Sequence, residues 1–143
     1  MVADSRVVTA TLETLRSCGQ GRTECILYWV ARQDDAHVVR AVHPKHTASW
    51  SGYRVDDDWI NAFFLDLGRH AEHVIAQVHS HPTDWVGMSE TDDRWVLLPS
   101  PGFYSVVVPE LGQADSTAGW GVWTLASNGA WVGAEGDVEW TIG

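Results

Sequence analysis

A chain of 143 residues with 45% hydrophobic and 20% charged residues has the size and balance of one globular domain, which excludes disordered, collagen-like and coiled-coil chains. Nineteen Asp plus Glu against nine Lys plus Arg give a net charge of -10, which would repel a phosphate backbone, so nucleic acid is not an expected partner. The N-terminal MVADSRVVTATLETLRS is broken by polar and charged residues every few positions, so neither a signal peptide nor a membrane span is expected. Cys18 and Cys25 are too widely spaced for a CxxC motif and too few for a disulfide framework, and they read as small apolar packing residues in a reducing cytoplasm. A chain of this size needs no structural metal in order to fold, so any metal is expected to be catalytic.

Val8, Leu12, Leu15 and Cys18 recur near helical spacing between Asp4 or Ser5 and Gly19, which predicts an amphipathic helix over 4–18. ECILYWVAR and HVVRAVHP, separated by QDDA, predict a hairpin. The segment 44–55 lacks periodicity, contains Pro44 and Gly52, and reads as a long loop. Asp56, Asp57 and Asp58 followed by Trp59, Ile60, Phe63, Phe64 and Leu67 place acids at the positive end of a helix with an apolar stripe. Val74–Ser80 predicts a strand that ends before Pro82. Ser89 reads as the N-cap of a short helix through about Leu98, closed by Pro99 and Pro101. FYSVVVP, GWGVWTL and AWVGAEGDVEWTI predict the remaining strands. Trp29, Trp59, Trp95, Trp123 and Trp140 are expected in the core.

The chemistry concentrates in His79-Ser80-His81-Pro82 and, six residues on, Ser89-Glu90-Thr91-Asp92. Residues two apart on a strand share a face, so His79 and His81 can present their imidazoles to one point. Asp92, in the first turn of the next helix, can aim a carboxylate back at them. Two His and one Asp leave one tetrahedral position open, the pattern of a catalytic zinc site. Such a site also needs a carboxylate to move protons, and Glu24 is the candidate because it opens an otherwise apolar strand. Taken alone, Ser89-x-x-Asp92 is more often a capping box than a metal site; His79 and His81 upstream reverse that preference, and the two roles can coexist. Trp85 lies in the loop between the histidines and Ser89, while Trp50 and Tyr53 lie in the 44–55 segment. These three can line a cleft and grip substrate, or fold back onto the scaffold. His70 and His73 read as solvated residues at the end of the second helix, and His43 and His46, flanking Pro44, as turn residues.

Glu24, His79, His81, Ser89 and Asp92 match, position by position, the JAMM motif of the JAB/MPN metalloproteases, which the chain therefore resembles. The resemblance implies a single JAB/MPN domain over 1–143, of α/β (α+β) class, with a mixed β-sheet flanked by helices. It implies one Zn2+ per chain held by His79, His81 and Asp92, Glu24 as acid/base, and Ser89 as donor to the oxyanion. The length, ECILYWVAR and GFYSVVVPELG are similar to the stand-alone prokaryotic JAB branch associated with bacterial ubiquitin-like conjugation and antiphage operons. The implied activity is zinc-dependent (iso)peptidase cleavage after the C-terminus of a ubiquitin-like protein, with E1-like and E2-like enzymes as companions and neither nucleic acid nor membrane as partner. The alternatives are trimming of a sulfur-carrier protein or short peptide, and a non-catalytic MPN-type scaffold. Scaffold members typically lack motif residues that this chain has.

Overall fold

The computed structural model describes residues 1–49 and 52–142. In chain order its elements are β1 (Val2–Asp4), α1 (Ser5–Gly19), β2 (Ile26–Arg32), β3 (Val38–Val42), β4 (His46–Ser49), β5 (Gly52–Val55), α2 (Asp57–Arg69), β6 (Glu72–Ser80), α3 (Glu90–Arg94), β7 (Tyr104–Val108), β8 (Gly121–Leu125), β9 (Trp131–Gly133) and β10 (Glu139–Thr141). Asp4 starts α1 by accepting from the amides of Arg6 and Val7, each at 3.0 Å, so its carboxylate satisfies donors that the helix leaves unpaired. Asp56 does the same for α2 through Trp59 N at 2.9 Å, with Asp57 and Asp58 in the first turn. The acidic run before Trp59 is thus a cap and dipole complement. No helix among the described residues is long and apolar enough to cross a membrane.

A six-stranded mixed sheet in the order β3-β2-β6-β7-β8-β9 forms the centre. The apolar run ILYWVAR makes a strand rather than a helix because both of its faces are covered. Leu27 and Trp29 face α1 with Val7, Leu12 and Leu15. Ile26, Tyr28 and Val30 face α2 with Phe63 and Leu67. Trp29 and Thr11 are fully buried, and the indole N–H donates to Thr11 Oγ1 at 2.9 Å. Thr11→Val would leave that donor unpaired in an apolar layer, a cost of about 1–3 kcal/mol. The urea midpoint is expected to fall with an unchanged m-value, and an unaltered midpoint would remove this bond from the accounting of stability.

Within this sheet β6 pairs antiparallel with β2 but parallel with β7. A parallel neighbour cannot be reached by a tight turn, so the chain must cross from the end of β6 back to the start of β7. That crossover carries Trp85, Ser89 and α3. It rises at the carboxyl end of β6, where strand direction changes between neighbours and α/β folds place their ligands.

Several sequence expectations need correction. The segment 44–55, expected as a loop, carries two strands: β4 and β5 form an antiparallel pair, His46 opposite Val55 and Ala48 opposite Tyr53. α3 stops at Arg94 instead of running to about Leu98, because Leu97 N is held by the buried Gln77 side chain at 3.0 Å, a tertiary bond that replaces helical ones. The C-terminal stretch splits into β9 and β10, and β10 pairs parallel with β1. Trp95 is 45% exposed, its ring covered by the Arg54 guanidinium at 5.3 Å rather than by core. His73 lies on β6 and is half-buried, not solvated at a helix end. Cys18 and Cys25 are not separate packing residues. The tight turn after α1, with Gln20 left-handed and Arg22 and Thr23 both bonded to Gly19 O, brings their Cα atoms to 6.2 Å and joins them as a disulfide.

Candidate active site

The site begins with backbone that holds β6 in register past its last residue. Cys25 N donates to Ser80 Oγ at 3.0 Å. His81 N then donates to Val108 O, and His81 O accepts from Leu111 N, both at 2.9 Å. The chain therefore stays extended through His81, and the alternation of a strand brings the two imidazoles together, Nε2 to Nε2 at 3.2 Å. His79 is fully buried and His81 nearly so.

Asp92 reaches them through the cap of α3. Asp92 N donates to Ser89 Oγ at 3.0 Å, and Ser89 N donates to Asp92 Oδ2 at 2.8 Å, a complete capping box. The same carboxylate lies 3.3 Å from His79 Nε2 through Oδ1 and 3.1 Å from His81 Nε2 through Oδ2. Cap and convergence on the histidines are therefore one arrangement rather than competing readings. Because Ser89 Oγ accepts from the helix, its own hydroxyl proton is left to point elsewhere.

The donor set fits a divalent metal. His81 Nδ1 is 2.8 Å from the Trp85 carbonyl, which can only accept, so in the neutral ring Nδ1 carries the hydrogen and Nε2 presents a lone pair. That Nε2 faces another imidazole nitrogen and a carboxylate oxygen in a buried place, a grouping that is relieved either by a proton shared between His81 and Asp92 in the metal-free protein or by a metal cation among them. With metal–ligand bonds of ~2.0–2.2 Å, a tetrahedral site has ligand–ligand edges of about 3.3–3.5 Å, close to the 3.1, 3.2 and 3.3 Å found here. The Trp85 carbonyl is the outer partner that orients such a ligand.

Glu24 stands across a cleft of about 270 Å³ that it shares with His81, Pro82, Thr83, Trp85, Ser89 and Thr91. Burial pushes its carboxyl up to about 7; His81 pulls against that shift and Asp92 adds to it. Burial would raise Asp92 too, but hydrogen bonds with His79 and His81 outweigh it and hold that carboxyl well below its usual range. Two neighbouring carboxyls with pKa values driven apart is the pattern that separates a proton carrier from a permanent anion.

The Trp85 ring stacks on His81 at 5.3 Å between centroids and 14° between planes, and it is 54% exposed. It thus forms a wall of the cleft. Tyr53, expected either to grip substrate or to fold onto the scaffold, is buried on β5 with its ring 5.8 Å from His79. Its hydroxyl and His79 Nδ1 both lack a hydrogen-bond partner among the described residues. Trp50 lies outside the described residues. Reasoning from sequence missed the residues that set the cleft wall: Trp123 Nε1 donates to Val86 O at 2.8 Å, and a side chain at Gly121 would collide with that carbonyl. The signal was present in GWGVWTL, where a glycine at a strand start marks close backbone approach.

Fold and site together are those of a metalloprotease-like domain in which His79, His81 and Asp92 could hold a metal ion. No family model matches the chain. Over 119 residues it is 32% identical to "Probable metalloprotease y4jG" of Sinorhizobium fredii, covering 78% of this chain and 73% of that protein. The chain belongs to the JAB/MPN (JAMM) metalloprotease family. Its fold is shared with AF2198, a JAB1/MPN domain protein from Archaeoglobus fulgidus, at a TM-score of 0.59 and 17% identity over 99% of both chains. It is also shared with DSY2949 from Desulfitobacterium hafniense, at 0.72 and 15% over 100% of this chain and 94% of that one. A third structure, described as JAMM, a metalloprotease-like zinc site in the proteasome and signalosome, aligns at 0.53 and 15% identity over 99% and 95%.

Proposed function

We propose that the protein is a zinc-dependent (iso)peptidase that cleaves the bond after the C-terminus of a ubiquitin-like protein, in a precursor or in a conjugate. The observation that carries the peptidase reading is Glu24, a carboxyl pushed up to about 7 by burial and sensing the charges of His81 and Asp92, in one cleft with His81, itself converged with His79 and Asp92. The ubiquitin-like substrate, the E1-like and E2-like companions and a cytoplasmic setting rest on the resemblance of the motif and of the short chain to the prokaryotic JAB branch.

His79, His81 and Asp92 would hold the metal, and zinc in such a setting acidifies water and polarises a carbonyl. Glu24, half-ionised near neutrality, can take the proton of the attacking water and pass it to the leaving amine. The Ser89 hydroxyl, already accepting from Asp92 N, has its proton available for the developing oxyanion. Trp85 offers an exposed flat surface beside His81 on which an extended tail can lie.

The direct test is incubation of purified protein with ubiquitin-like proteins carrying a C-terminal extension, with and without chelator. Chelator-sensitive, zinc-restored release of the extension is expected. Absence of cleavage across a panel, with zinc bound, would overturn the substrate assignment. Trp85→Ala keeps the backbone carbonyl that orients His81 and removes about 1 kcal/mol of ring contact. It is expected to lower kcat/KM by ~5-fold through KM at unchanged zinc content, and unaltered kinetics would remove Trp85 from the substrate path.

A further inference from the structure

A second set of soft donors lies outside the active site. Cys18 at the end of α1, Cys25 just before β2, and His43 and His46 around Pro44 converge so that one ligand atom of each lies within 4.8 Å of the others. Cys25 is fully buried. Cys18 Sγ is 3.4 Å from His46 Nε2, while Cys25 Sγ is 3.3 Å from His43 Nε2 and 3.8 Å from His46 Nε2. The two imidazoles pack edge to face at 5.0 Å, both directing Nε2 at the sulfurs.

A disulfide does not account for that arrangement. His46 Nδ1 lies 3.0 Å from Pro44 O; a carbonyl only accepts, so Nδ1 is the protonated nitrogen of the neutral ring and Nε2 is a lone pair. A disulfide offers it no proton and no charge, only further lone pairs. A metal satisfies all four atoms at once. With Zn–S of ~2.3 Å and Zn–N of ~2.0–2.1 Å, the S···N edges of a tetrahedron are about 3.5 Å, and the three observed separations straddle that value. With the disulfide reduced the sulfurs are no longer joined, and a tetrahedral site would set them at an S···S edge of about 3.8 Å. The Pro44 carbonyl is the outer partner that ligating histidines characteristically have.

We propose that, in the reduced protein, Cys18, Cys25, His43 and His46 bind one zinc ion as a closed Cys2His2 site, separate from His79, His81 and Asp92. Four protein ligands leave no open position, so this site is structural rather than catalytic. Binding releases the two thiol protons and changes no oxidation state. Its position gives it a task. It ties the turn after α1 to the β3–β4 connection, and Cys25 immediately follows Glu24, whose amide donates to Ser49 O on β4 at 3.2 Å. The clamp thereby fixes the backbone that carries the acid/base residue. Zinc here and the Cys18–Cys25 disulfide are mutually exclusive.

The test uses the full chain, reduced with a phosphine, loaded with zinc and desalted, with circular dichroism as the check of folding. About two zinc ions per chain are expected in wild type, about one in Asp92→Asn and about one in His43→Gln. His43 is exposed, so that substitution spares the core. With cobalt in place of zinc, Asp92→Asn is expected to show an intense near-ultraviolet thiolate-to-metal band that is lost when Cys18→Ser is added. A folded, reduced Asp92→Asn protein that takes up less than about a tenth of an equivalent of zinc, or cobalt without a thiolate band, overturns the proposal. A wild type with a single zinc that survives Asp92→Asn would support this site while counting against the peptidase reading, so the two can fail separately.

Discussion

Glu24→Gln is expected to lower turnover by at least ~1,000-fold while keeping zinc, and to make the metal-free protein more stable at pH 8. The loss follows from position: general acid–base catalysis contributes about 10²–10⁴-fold, and Glu24 is the cleft carboxyl poised to serve in both proton transfers. The stabilisation follows from the cause of its pKa. Burial raises the folded-state value from 4.5 to about 7, so between those limits the folded chain holds a proton that the unfolded chain has released, and stability falls as pH rises. Below pH 4.5 both states are protonated and the penalty vanishes. Above 7 it reaches its plateau, about 3 kcal/mol at 1.36 kcal/mol per pKa unit. Gln has the same shape and no charge to desolvate. Urea titrations of chelated wild type and variant at pH 4.5 and pH 8 should therefore give a difference that opens only at the higher pH. Equal differences at both would show that Glu24 is solvated and is not the tuned base. The rate responds with the opposite sign: the ionised carboxylate is the base, so wild-type turnover should rise with pH along an acid limb.

The stability sacrificed at Glu24 also explains how far the site could be read from sequence. His79, His81, Ser89 and Asp92 are legible because their geometry is local: one strand period aligns the imidazoles and one helical turn aligns the carboxylate with its cap. Glu24 is legible as a charge where an apolar strand begins. What failed was everything fixed by tertiary contact. The pairing of β4 with β5 rests on HTAS and GYRV, too short and too polar for a period to show. Gln77, on the far side of the crossover, ends α3 early. Trp95 looks like core by type, but Arg54 covers it at the surface. The cysteines and His43 and His46 come from segments that only the folded turn after α1 and the β3–β4 connection bring together, so no spacing rule could join them.

Asp92→Asn is the substitution that most cleanly separates metal binding from architecture. Ser89 Oγ accepts from the backbone amide of residue 92, which any side chain retains. The bond from Ser89 N to the side-chain oxygen can be kept by the Asn carbonyl, so both halves of the capping box survive. The negative charge between His79 and His81 is lost. Changes merely to the partners of ligands cost about 10–100-fold in metal affinity, so loss of an anionic ligand is expected to exceed ~100-fold and to remove activity with it. The acid response should change in parallel. The wild-type carboxyl is held below its usual range by the two histidines, so in metal-free protein its contribution is fully present above the unfolded value near 3.8 and is lost as pH falls through the lower folded value. Asn has nothing to protonate. Thermal unfolding of chelated proteins as pH falls below about 4, where the carboxyl rather than the histidines titrates, is expected to show the wild type losing more stability than the variant, while zinc titration at pH 7.5 shows the active site of the variant empty at concentrations that saturate wild type. Retention of wild-type zinc affinity in the Asn variant would mean that His79 and His81 hold the metal with some other group, and the JAMM assignment of Asp92 would fall.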